Sequence, residues 1–138
     1  MAFGLPCHWA SWVALALIFV PMVAGCGRSE HAAVSGTLLR RGGTPLVGAR
    51  IVATSRETGK SAYGTTDDAG QFELGVGENG DGIPPGDYDV IIVEDRGDPD
   101  NRRPPAIAAK YGDARSSGLQ FSAEAGELKQ LNITLDPP

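Results

Sequence analysis

From Val34 to the C-terminus, apolar and polar residues alternate with a period of two in seven short windows. Val34, Gly36 and Leu38 share one side of "AVSGTLL", and Ala49, Ile51 and Ala53 share one side of "ARIVATS". "KSAYGTT" is weaker, small and polar around Tyr63. Phe72 and Leu74 align in "GQFELGV", and Tyr88, Val90 and Ile92 align in "GDYDVIIVE". Leu119 and Phe121 align in "SGLQFSA", and Leu131, Ile133 and Leu135 align in "LKQLNITLD". Successive side chains of a strand point to opposite faces, so this alternation marks strands with one face in a core. No window sustains a helical period. The 19 Gly and 10 Pro of the chain fit a turn-rich all-β chain better than a helical one. The pattern predicts an all-β fold, a seven-stranded β-sandwich. Val34, Ile51, Phe72, Tyr88, Val90, Ile92, Phe121, Ile133 and Leu135 are expected to point inward. Two connections are long, 75–86 and 95–117. A structureless loop of the second length is unusual in a compact domain. Ile107 and Tyr111 give it apolar side chains with which to cover an open end of the sandwich.

Before residue 34 the pattern is different. "VALALIFVPMV", Val13 to Val23, is apolar but short, whereas a membrane-spanning helix needs about 20 residues. A short apolar core followed by small residues reads as a secretory signal peptide. The tetrapeptide "VAGC", Val23 to Cys26, resembles the lipobox of bacterial lipoproteins. That resemblance implies cleavage between Gly25 and Cys26 and acylation of Cys26, which then holds the protein to membrane lipid. Residues 1–25 are accordingly expected to be the signal peptide, 26–33 the lipidated Cys and a polar tether, and 34–136 the domain. The expected location is the cell envelope. Gly27 after the Cys, rather than Asp, favours the outer membrane or the periplasmic face. An uncleaved N-terminal anchor helix and a soluble chain with an unusual tail are the alternatives.

Charge narrows the function. All 17 acidic and 12 basic residues follow Cys26, so the domain carries the whole net charge of −5. An acidic domain has no electrostatic reason to bind nucleic acid. Arg40-Arg41 and Arg102-Arg103 are isolated pairs rather than a patch. The second cysteine, Cys7, lies before the expected cleavage point, which leaves no pair for an internal disulfide.

Three motifs stand in order: "GTLLRRGGTPLVGARI" with Gly36, Pro45, Gly48 and Ala49; "TTDDAGQFEL" with Thr66, Asp67, Gly70 and Phe72; and "IPPGDYDVII" with Pro85, Gly86, Tyr88 and Val90. Together they resemble the carboxypeptidase regulatory-like domain, a transthyretin-like (prealbumin/Ig-like) β-sandwich. The tail "AKYGDARSSGLQFSAEAGE", with Lys110, Tyr111, Ser117, Gly118 and Leu119, resembles that of planctomycete lipoproteins, although Ala109 replaces their usual Pro. The resemblance implies an accessory domain without its own peptidase. The motifs themselves carry folding instructions. Asp67 can accept backbone N–H groups across a turn, Gly70 can supply a positive φ, and Tyr88 can bury its ring with its hydroxyl at the rim.

No catalytic site is expected. His8 lies in the signal segment and His31 in the tether, so a positioned base is lacking. No cofactor is expected, and zinc lacks its usual ligands. Calcium is a weaker alternative at Glu78, Asn79 and Asp81 or at Asp95, Asp98, Asp100 and Asn101, but neither run has EF-hand spacing. Solvated acidic loops are the simpler reading. Trp9 and Trp12 precede the cleavage point, which leaves Tyr63 and Tyr111 as the candidate ligand contacts. The expected role is non-catalytic, structural or adhesive, through an envelope protein or glycan. The alternative is a carbohydrate- or peptide-binding accessory module acting with a separately encoded enzyme.

Overall fold

In the computed structural model, residues 30–77 and 81–138 are described. The signal segment, "VAGC", Gly25 and Cys26 lie outside them, as do Glu78 and Asn79. Seven strands follow the seven alternating windows: β1 Ala33–Arg40, β2 Arg50–Ser55, β3 Ser61–Thr65, β4 Gln71–Leu74, β5 Gly86–Val93, β6 Leu119–Ala123 and β7 Leu128–Leu135. They form two sheets, one ordered β4-β1-β7 and the other β3-β2-β5-β6. The protein is an all-β, seven-stranded β-sandwich. β1 and β7 run parallel, in register from Ala33 opposite Leu128 to Arg40 opposite Leu135, while the other strand pairs are antiparallel.

The inward faces make one core. Leu38, Ile51, Leu74, Ile83, Val90 and Leu135 are its most deeply buried large side chains. Of the nine residues expected inside, eight are buried and Ile133 is half-buried against the core. Tyr88 and Phe121 are direct cross-strand partners, and their rings stack 5.2 Å apart at 8°. The Tyr88 hydroxyl donates to the Pro84 carbonyl at 2.7 Å, so the ring is buried while its polar end is satisfied.

The turn "TDDAGQ" folds as its residue types dictate. Asp67 Oδ1 accepts the N–H groups of Ala69 and Gln71, each at 2.9 Å. Gly70 has φ +74°, a conformation an L side chain resists. Beside this turn, Thr66 is buried, and its Oγ1 accepts the Ala49 N–H at 2.9 Å.

Two features go beyond the alternating pattern. Ala32, expected in the tether, is fully buried and exchanges two backbone hydrogen bonds with Ile83, at 2.7 and 2.8 Å. The sandwich therefore begins at the last tether residues, because Ile83 in the 75–86 connection supplies a partner that sequence spacing does not reveal. The 95–117 connection contains a 3-10 turn, Ala109–Gly112, that packs against β5. Ile107 and Tyr111 are both buried there, so this loop docks as expected.

Candidate functional site

β3 belongs to one sheet and β4 to the other, yet Tyr63 of β3 bridges to Gly75, the residue that follows β4. Tyr63 N–H donates to the Gly75 carbonyl at 2.9 Å, and Gly75 N–H donates to the Tyr63 carbonyl at 3.0 Å. Gly64 makes the approach possible. A Cβ there would collide with the Glu73 carbonyl oxygen and stand 3.2 Å from Leu74 Cδ2. Backbone thus joins the sheets along this flank.

Beside the junction an open groove of about 1000 Å³ runs over the surface. Its walls are set by strand alternation. On β4, Phe72 and Leu74 point inward, which turns Gln71 and Glu73 outward. On β1, Ser35 and Thr37 stand opposite Glu73 and Gln71. On β7, Gln130 stands opposite Ser35. Across the junction, Arg50 and Tyr63 project outward from β2 and β3, whose Ile51 and Ala62 face the core. The Arg50 guanidinium lies 4.7 Å from the centre of the Tyr63 ring and holds it by a cation–π contact. Tyr63 nonetheless keeps 44 % exposure. The groove therefore offers one exposed aromatic ring, one cation, the carboxylates of Asp67 and Glu73, neutral amide and hydroxyl groups, and the exposed Val76, with the buried Phe72 also in its lining.

The two tyrosines considered as ligand contacts separate in the fold. Tyr63 lines the groove. Tyr111 is only 4 % exposed, and it is corrected from ligand contact to packing residue. Its hydroxyl donates to Asp136 Oδ2 at 3.1 Å and accepts the Asp136 N–H at 3.0 Å. The acidic run 95–101, the weaker calcium alternative, closes its own turns. Asp95 Oδ1 accepts the Gly97 N–H at 3.0 Å, and Asp98 Oδ1 accepts the Asp100 N–H at 2.8 Å. Among the described residues, no group of three His, Cys, Asp or Glu side chains is placed to hold a metal ion. Also among them, no helix is long and apolar enough to cross a membrane.

Elsewhere on the surface, several charged side chains are paired. Asp136 receives Arg41 at 2.6 Å and Lys110 at 2.7 Å. Hydrogen bonds from Lys110 and then Tyr111 hold the Asp136 carboxyl below its ordinary range, and Asp136 in turn raises the Lys110 ammonium. Arg56 grips Asp89 Oδ1 through two nitrogens, at 3.0 and 2.6 Å, and this hydrogen bonding lowers the Asp89 carboxyl. These exposed pairs tie together segments that are distant in sequence.

Sequence reading singled out Tyr63 but not Ser35, Thr37, Arg50, Gln71, Glu73 or Gln130. Each was legible as an outward residue of its strand. That β4, β1 and β7 lie side by side, and that β3 meets β4, was not.

No family model matches the chain, and no curated protein matches it. Among solved structures, the Bacillus anthracis TIE protein is similar at 19 % identity with a TM-score of 0.51, over 78 % of this chain and 17 % of that one. A 9R-lipoxygenase from Cyanothece PCC8801 aligns at 19 % identity and a TM-score of 0.43, over 79 % of this chain and 17 % of that one. The chain thus spans less than a fifth of the length of either neighbour. At that identity the likeness to the TIE protein is one of fold.

Proposed function

We propose that the protein is a lipid-anchored, non-catalytic component of a bacterial cell envelope, with a carboxypeptidase regulatory-like sandwich that associates with other envelope material. The observation that carries this reading is "VAGC" at Val23 to Cys26, a lipobox-type sequence that closes an apolar run and stands just before the first charge, Arg28. The entry to the domain supports it. Ala32 is sewn to Ile83, so only a few residues separate Cys26 from a fixed point of the sandwich, and an anchored domain would sit close to its membrane. A single acyl chain holds marginally and two hold firmly, so a diacylglyceryl thioether on Cys26 would retain the protein without a spanning helix.

The non-catalytic part rests on chemistry. Both histidines, His8 and His31, precede the sandwich strands, and the paired carboxylates serve as structural ion-pair partners. The accessory-module alternative is favoured by the groove beside Tyr63, which gives the domain a polar surface with which to associate.

Mass spectrometry of the membrane fraction tests the anchor. The expected result is an N-terminal peptide beginning at Cys26 with added lipid mass, lost in Cys26→Ser while the domain stays folded. Recovery of an intact, unmodified peptide spanning Trp9 to Arg28 would sink the reading in favour of an uncleaved anchor.

A further inference from the structure

We propose that the groove beside the β3–β4 junction binds a neutral oligosaccharide, with the exposed part of Tyr63 as a stacking platform and the side chains around it as hydroxyl partners. This names a ligand class for the association surface in the reading above, and it stands whether or not Cys26 carries lipid.

At about 1000 Å³ the groove lies at the upper end of small-molecule sites, yet it is open rather than enclosed. Such a shape suits a chain laid along a surface better than a buried single ring. The functional groups suit a sugar. A sugar ring presents an apolar face and a rim of hydroxyls that both donate and accept. Tyr63 is an amphipathic ring that remains 44 % exposed, and the Arg50 guanidinium at 4.7 Å fixes its orientation. Around it, Arg50 donates, Asp67 and Glu73 accept, and Gln71 and Gln130 do both. Strands carry most of these groups, so little side-chain and loop ordering opposes binding.

Charge in the groove is nearly balanced. The groove carries one cation, Arg50, against the carboxylates Asp67 and Glu73. That balance gives an anionic polysaccharide or phosphate nothing to gain over a neutral chain. A peptide fits less well. The one exchanged hydrogen-bond pair at the junction already uses the facing N–H and carbonyl groups of Tyr63 and Gly75, so a strand cannot be added there. The groove is also lined mainly by polar groups; besides Tyr63, its large apolar side chains are Val76 and the buried Phe72.

The test uses the full chain, purified in detergent, against an immobilised panel of neutral glucans, xylans, mannans and galactans, followed by calorimetry with the hexasaccharide of any class that binds. Polygalacturonate and a random peptide library serve as comparison probes. The expected result is saturable binding of a neutral class, weakened at least about ten-fold by Tyr63→Ala and several-fold by Glu73→Gln. Unchanged thermal melting of both variants separates lost contact from lost fold, and Tyr63 is exposed enough to be removed safely. No neutral glycan bound, tighter binding of polygalacturonate, binding of peptides alone, or affinity indifferent to Tyr63 and Glu73 would each overturn the proposal. Cys26→Ser is measured in parallel. Retained glycan binding with lost lipid mass is expected, and an anchor that fails while the groove still binds sinks only the anchoring reading.

Discussion

The two flanks of the sandwich are built differently. At the β3–β4 flank, backbone meets backbone: Tyr63 and Gly75 exchange hydrogen bonds, and Gly64 lets the strands approach. At the β6–β7 flank, the strands never pair, and a cleft of about 370 Å³ opens between Leu119 and Phe121 on one side and Leu131 and Ile133 on the other. The Asp95–Ser117 loop docks Ile107 and Tyr111 into the core, and Tyr111 reaches Asp136, just beyond the end of β7. Backbone closure leaves side chains free to point outward, and the polar groove lies there. Beside β7 the loop is held by the Ala108 N–H on the Asp136 carbonyl, and the Tyr111 hydroxyl and Asp136 carboxylate are taken up by one another and by Lys110 and Arg41. That difference explains why Tyr63 is available to a ligand and Tyr111 is not.

Replacements of decreasing severity can break this contrast. Phe72 is buried under the joined flank, and Phe72→Ala should cost about 3–5 kcal/mol through the cavity it leaves. Chemical denaturation would show it as a lower midpoint with unchanged slope; unaltered stability would contradict the core assignment. Gly64→Ala should cost about 1–3 kcal/mol by overpacking, because the new methyl meets the Glu73 carbonyl. Amide exchange should then quicken at Tyr63 and Gly75 and leave β5 unaffected. Equal loss of protection in every strand would mean that the bridge does not hold the flank separately.

At the opposite flank, Tyr111→Phe keeps the ring and removes the hydroxyl shared with Asp136. A loss of about 1 kcal/mol is expected, with faster proteolysis within residues 95–117. A cleavage pattern identical to that of the unaltered protein would argue that packing alone fixes the loop. The smallest effect is that of pH. The Asp136 and Asp89 carboxyls are lowered from an ordinary value of 3.8 by their cationic partners. Their contribution is present above that ordinary value and is lost as pH falls through the lowered folded values. Thermal melting should therefore decline slightly below about pH 4, and Asp136→Asn should flatten the decline. Both pairs are exposed and screened, so a steep change would point to other groups.

Much of this architecture is legible in the chain without any fold. Period-two alternation locates every strand to within a residue or two, because one face of each strand must be apolar. The Asp67 turn is legible because it is local: the carboxylate acceptor, the N–H donors and Gly70 lie within five residues of one another. Ile107 and Tyr111 were legible as docking residues because they are the large apolar side chains of an otherwise polar loop. The groove was not. Most of its members come from β1, β2, β3, β4 and β7, and most of its polar members read alone as ordinary solvent-facing residues. The same holds for Ala32, whose burial depends on Ile83 fifty-one residues away. Sequence determined which residues face in and which face out, since that is decided by each strand against water. Only the tertiary structure decided which outward residues share a surface, because strand order, the parallel pairing of β1 with β7 and the Tyr63–Gly75 bridge are settled by contacts between distant segments.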